Sequence, residues 1–245
     1  VPAPVVDAAL EGEVRADVAV IGAGFTGLSA ALHLARAHGF APVVLDAAQV
    51  GWGASGRNAG FNCMGGGKIS DAAYAARWGA ADLDAFYRAQ VRATEVVGEI
   101  VAECGMDVER QPGGEWLMAH KAAAFEGVAD DAAFLERVAG VQSEIVPAGG
   151  LRERGINGAG FHGGMFADVG FALNPRKYVF GLAAAARAAG VRICGDSAVT
   201  GLQRLPDGRF ELRTARGRVV ADRLVLAANG YNSENLPDWI GGRYL

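Results

Sequence analysis

Three glycines within six residues (Gly22, Gly24, Gly27) split the run VAVIGAGFTGLSAALHLARAHG, residues 18–39, and constrain this chain more than any other feature. By composition, residues 18–35 carry no charged side chain and approach the roughly 20 apolar residues that a membrane-spanning helix needs. Each interior glycine, however, weakens a helix by about 1 kcal/mol relative to alanine. A strand–turn–helix reading accounts for every residue. Val18, Val20 and Ile21 form a buried parallel strand. Gly22 makes the tight turn, Gly24 lets a pyrophosphate approach the backbone, and Gly27 lets the helix lie close to the strand. The helix is predicted over residues 25–38, stopped by Gly39. Residues 42–45, PVVL, form a second strand ending in Asp46. That acid follows the last glycine by about 20 residues, the spacing at which a carboxylate accepts hydrogen bonds from a ribose diol. Strand, turn, helix and acid together predict a dinucleotide-binding α/β unit.

Composition narrows the rest. A chain of 245 residues, 51% apolar, can bury a core for one or two domains. Its formal charge of −4 is spread among interspersed acids and bases, which argues against a nucleic-acid surface. Cys63, Cys104 and Cys194 are odd in number, widely spaced and outside any CxxC, a pattern that suits the reducing cytoplasm. The first 17 residues are acidic and lack the basic and apolar regions of a signal peptide. The four histidines show no metal-ligand spacing, so no metal is expected. There is no GxSxG, and GGGKI lacks the spacing of a phosphate loop. The expected partner is a small molecule, with neither nucleic acid nor membrane involved.

After the second strand comes QVGWGASGRNAGFNCMGGGKI, residues 49–69, with seven glycines and almost no aliphatic core residues. A loop of small residues this long can lie along an extended cofactor without steric conflict. Here the chain resembles the flavin-dependent amine and amino-acid oxidoreductases of the D-amino-acid-oxidase type, and GWGASGRNAG looks most like their gamma-glutamylputrescine oxidase branch. The resemblance implies FAD as cofactor, with Ser55, Gly56, Arg57, Asn58 and Gly60 beside its pyrophosphate and flavin ring. It implies non-covalent attachment, because the loop lacks the histidine to which some relatives bond the flavin. Downstream, a helix starts at Pro175 and halts at Gly190, and residues 191–194 form a short strand. The resemblance places Val199 against the adenine. Two strands are predicted over 209–214 and 218–221, then a buried strand over 224–226. The last opens into Ala227, Ala228, Asn229 and Gly230, small residues that let backbone approach a ligand at a strand's carboxyl end. With Phe25 and Thr26 in the turn, Ala47 after Asp46, and Gly53 and Ala54 in the loop, these complete the expected cofactor contacts.

The middle of the chain is less legible. Apolar spacing predicts one helix over 81–104 and another over 122–138, with a hairpin around Pro112, Gly113 and Gly114. In relatives this region supplies strands to a substrate sheet. The expected layout is a Rossmann-like FAD-binding domain with a parallel sheet over 1–106 and 173–235. Part of an α+β substrate domain is interleaved over 107–172 and begins again over 236–245. The resemblance implies that the rest of the fold lies beyond residue 245 or on a second chain. His33 reads as structural, His162 as a candidate substrate contact, and Lys68 as a solvated lysine, with a position facing the flavin as its alternative. Arg57 and Asn58 are the polar groups expected near the ring; no side-chain base is required and none is assigned. The resemblance implies oxidation of the C–N bond of an amine or amino acid by hydride transfer to flavin N5, giving an imine that hydrolyses. Two alternatives stay open: a flavin-binding fragment or subunit without independent catalysis, and an NAD-dependent dehydrogenase.

Overall fold

The computed structural model describes residues 5–65 and 69–231. In chain order the elements are β1 (Gly12–Ile21), α1 (Phe25–His38), β2 (Pro42–Leu45), β3 (Phe61–Asn62), α2 (Asp71–Trp78), α3 (Ala80–Glu103) and β4 (Gly113–Met118). They continue with α4 (Ala122–Glu126), α5 (Val128–Ala139), β5 (Ser143–Pro147), α6 (Ala148–Leu151) and β6 (Gly163–Ala172). The last are α7 (Pro175–Ala188), β7 (Arg192–Cys194), β8 (Gly201–Arg204), β9 (Phe210–Arg213) and β10 (Gly217–Leu226). These residues fall into two compact units, one within Val1–Ala59, Met106–Val108 and Asn174–Leu245, the other within Gly60–Gly105 and Glu109–Leu173. Lys68 and the expected segment 236–245 lie outside the described residues.

The first unit holds a sheet of order β7-β2-β1-β10-β9-β8. The β7, β2, β1 and β10 strands are mutually parallel, and β9 and β8 continue antiparallel from β10. Val43, Val44 and Leu45 are buried, as expected of a strand covered on both faces. Beside the sheet, α1 and α7 bury Leu28, Ala31 and Leu32 on one helix and Val179, Leu182 and Ala183 on the other. Asn174 caps α7 by accepting the amides of Arg176 and Lys177, with Pro175 in the first turn.

The second unit centres on β6. β4 pairs along one edge of it, and β5 and β3 pair in turn along the other, all antiparallel. Helix α5 supplies Val128 and Leu135 to a core with Met165, Ala167 and Val169 of β6.

The structure corrects several expectations. Residues 60–105, expected in the dinucleotide domain, cluster instead with the second unit, because β3 pairs with β6 and the Asn62 amide group donates to the Thr94 carbonyl of α3 at 3.0 Å. The hairpin around Pro112 does not form: β4 pairs with distant β6, and the segment before it turns through Glu109 at φ 53°. The helix over 122–138 is broken at Gly127, whose carbonyl accepts the amides of Asp130 and Asp131 and so starts α5 afresh. The strands expected over 218–221 and 224–226 are one, since β10 pairs with β1 from Gly12↔Gly217 to Ile21↔Leu226 despite the exposed Asp222 and Arg223.

Candidate functional site

The site forms at the carboxyl ends of the parallel strands, where open α/β sheets bind ligands. Gly22, directly after β1, has φ +105°, and a Cβ there would stand 2.5 Å from the Ala227 carbonyl oxygen. Glycine is therefore required by both conformation and space. A Cβ on Gly27 would stand 1.9 Å from the Gly22 carbonyl oxygen, so this glycine closes the turn from within. The Gly22 amide donates to the Leu45 carbonyl at 2.8 Å, and the Ala227 amide to Ile21 at 2.8 Å. These bonds bind the turn to both neighbouring strand ends.

Asp46 sits at the end of β2 and already serves the turn: Oδ2 accepts the Ala23 amide at 2.7 Å, and Oδ1 accepts the Ala48 amide at 2.9 Å. A carboxylate has about four acceptor sites, so these two bonds leave capacity for a ligand's hydroxyls. Gly24 precedes α1, which has no side-chain cap and no acid in its first turn. Ser55 Oγ accepts the Phe25 amide at 3.0 Å. The remaining positive end of the helix dipole favours an anion.

Around these groups lies a cavity of about 400 Å3, within the usual range for small-molecule sites of ~300–1,000 Å3. Of the expected contacts, Gly22, Gly24, Asp46, Ala47, Gly53, Ala54, Ser55, Val199, Ala227, Ala228 and Asn229 line it. The others do not, and most have another job. The Phe25 ring packs on Tyr178, 5.1 Å between centroids, and Thr26 is exposed. A Cβ on Gly56 would stand 2.0 Å from the Gly51 carbonyl oxygen, so that glycine folds the loop. Arg57 stacks over Trp52 at 4.9 Å and donates from Nε to the Trp52 carbonyl. Asn58 donates from Nδ2 to the carbonyls of Ala54 and Ser55, each at 3.1 Å, tying off the same turn. The Gly230 amide donates to Asn229 Oδ1 at 2.8 Å. Gly60 belongs to the second unit, where its carbonyl accepts the Leu173 amide.

Sequence reasoning missed Ala23, Ala48, Gly51, Trp52, Ser197, Ala198 and Tyr231, which also line the cavity. Ser197 and Ala198 had a signal, the small-residue run before Val199. Trp52 and Tyr231 had none: they are 57% and 62% exposed, and their rings meet edge-on at 6.3 Å across 179 positions of sequence.

Among the other candidates, His33 Nδ1 donates to the Ser29 carbonyl of its own helix at 2.8 Å. Exposed His162 lies in the second unit. That unit holds its own titrating pair, where half-buried Glu115 accepts the Cys63 thiol and the Met64 amide. Burial pushes the Glu115 carboxyl up, and burial together with the adjacent Glu115 charge pushes the Cys63 thiol up. No described helix is long and apolar enough to cross a membrane, and the described residues contain no cluster of metal-ligating side chains.

A largely parallel sheet with a glycine turn, a strand-end acid and a helix start without an acid in its first turn, gathered around one cavity, defines a dinucleotide-binding unit of the Rossmann type. Residues 17–242 match the family described as FAD dependent oxidoreductase, and the chain belongs to that family. The gamma-glutamylputrescine oxidoreductase of Escherichia coli (strain K12) is 31% identical over 238 residues, 96% of this chain and 54% of that protein. A probable oxidoreductase of Haemophilus influenzae is 30% identical over 89% of this chain and 49% of its own length. The chain thus spans about half the length of the curated relatives it matches. Among solved structures, L-amino acid deaminase from Proteus myxofaciens superposes with a TM-score of 0.73 at 19% identity, over 91% of this chain and 48% of its own. Glycine oxidase from Geobacillus kaustophilus gives 0.68 at 20%, over 87% and 55%. Both likenesses are ones of fold.

Proposed function

We propose that this chain is the dinucleotide-binding part of a flavoenzyme that oxidises the C–N bond of an amine or amino acid. One observation carries the reading: a single cavity gathers the glycine turn, Asp46, the Gly53–Ser55 loop, Val199 and the Ala227–Asn229 strand end. The residues fit FAD. Gly22 makes the turn, Gly24 leaves its backbone open to a pyrophosphate, and the start of α1 supplies the positive potential to hold it. Asp46 takes the ribose hydroxyls, and Val199 with Ala227 and Ala228 forms a smooth apolar wall for the adenine. When bound, FAD supplies a two-electron acceptor for a hydride from the carbon beside the substrate nitrogen. This chain's residues hold and orient that acceptor. None is assigned as a base, because a deprotonated amine needs none. The three cysteines form no disulfide, which fits a cytoplasmic setting.

The coverage of relatives favours a second reading, in which these 245 residues bind FAD without oxidising an amine. Anaerobic mixing of the flavin-loaded chain with amines and amino acids separates the two. Bleaching of the flavin band supports oxidation by this chain; retained colour with every substrate supports binding alone.

A further inference from the structure

Ahead of β1, residues 7–10 are fastened to the first unit by contacts that the cofactor reading does not use. Asp7, 7% exposed, makes a two-pronged ion pair with Arg187 of α7: Nη2 lies 2.7 and 2.8 Å from its two oxygens, and Nε lies 3.0 Å from one of them. A charge buried this deeply holds its place only while paired. The Asp7 backbone is clasped by Gln49, whose Oε1 accepts its amide at 2.9 Å and whose Nε2 donates to its carbonyl at 3.2 Å. The same Nε2 donates to Asp196 Oδ2 at 2.6 Å. Asp196 sits at φ 46°, a left-handed conformation that needs support outside glycine. Three residues on, fully buried Leu10 donates its amide to Ser197 Oγ at 2.8 Å, and that hydroxyl donates to the Gly195 carbonyl at 2.7 Å.

Gln49 directly follows Asp46–Ala48, and Ser197 begins Ser197–Val199; both three-residue segments line the cavity. The loops also bond to each other, from the Ser197 amide to the Asp46 carbonyl at 2.7 Å and from the Asp196 amide to Ala48 at 3.1 Å. We propose that residues 7–10 form a strap whose anchoring sets the shape of the dinucleotide cavity, with Asp7, Arg187 and Gln49 as positioning residues. Strap docking and cofactor binding stabilise the same loop arrangement, so each strengthens the other by the same factor. The proposal rests on the FAD reading above.

The test uses the full chain and FAD. Hydrogen exchange of the unmodified protein should slow at least tenfold at the Asp7 and Leu10 amides when FAD saturates it. Asp7→Ala and Gln49→Ala, neither of which touches the cavity, should raise the FAD dissociation constant at least fivefold at a temperature where the flavin-free variants remain folded. Variants that melt earlier but bind FAD unchanged, with exchange at Asp7 and Leu10 indifferent to FAD, would show a structural strap only and overturn the proposal. A variant that does not fold leaves the exchange result on the unmodified chain decisive. Failure of the unmodified chain to bind FAD would instead refute the functional reading, and the strap's role with it.

Discussion

Asp46→Ala separates the two duties of this carboxylate. The structure gives it two backbone bonds, to the amides of Ala23 and Ala48 at 2.7 and 2.9 Å, and the functional reading adds two more to a ribose diol. Hydrogen bonds to a charged group contribute roughly 1.5–3 kcal/mol each, so losing the diol pair removes roughly 3–6 kcal/mol of binding. Water refilling the space restores part of that. The FAD dissociation constant is therefore expected to rise at least tenfold, about 1.4 kcal/mol. The backbone bonds report separately, as a lower melting temperature of the flavin-free variant. Asp46→Asn keeps one acceptor oxygen and should fall between the two proteins in affinity. Fluorescence titration of FAD against all three at constant ionic strength measures this. A dissociation constant for Asp46→Ala within twofold of the unmodified value, with a lower melting temperature, would show that the carboxylate serves the turn alone.

Gly27→Ala places a methyl 1.9 Å from the Gly22 carbonyl oxygen, a backbone atom that cannot swing aside. A loss of about 3 kcal/mol or more is expected, seen calorimetrically as a melting temperature lower by at least about 6 °C; an unchanged value would mean that the helix does not abut the turn. Gly24→Val should abolish flavin retention, its Cβ standing 2.8 Å from Ser55 Oγ. Ala23 is only 1% exposed, so enlarging it offers no neutral control. In the second unit, burial and the bond to Asp71 push the Tyr87 phenol up to about 12. A group raised on folding stabilises fully below its unfolded value, about 10, and that contribution is lost as pH climbs from there towards about 12. Tyr87→Phe should flatten the fall in stability across this window in urea titrations at stepped pH. Cys63, on the surface but with its thiol partly desolvated against Glu115, should react slowly with thiol reagents at neutral pH, and Glu115→Gln should speed the reaction by removing the charge that helps hold the thiol protonated.

The legible parts of the sequence are those where one local rule decides the backbone. Gly22 with φ +105° and Gly27 with no room for a methyl admit one residue type, so the turn could be read directly. Residues 42–45 form a strand buried on both faces, which an unbroken apolar run announces. Pairing between distant segments was not legible: β4 looks like half of a hairpin, yet its partner β6 lies some 50 positions away. The glycine-rich β6 hid its strand because Gly163, Gly164 and Gly170 dilute its alternation, although each sits where a Cβ would strike a neighbour. Arg57 and Asn58 were expected at the cofactor from the family resemblance; in the structure both also fasten their own loop, a role the resemblance did not announce. Composition cannot tell a side chain that holds a loop from one that holds a ligand.

The proposed function requires this chain to hold FAD by its adenosine end in the cavity around Gly24 and Asp46. Equilibrium dialysis against FAD, repeated with ADP or FMN as competitor, tests it most directly. About one FAD per chain is expected, displaced by ADP, which shares the ribose and diphosphate, and unaffected by FMN. Absence of bound flavin, or displacement by FMN as readily as by ADP, would contradict it.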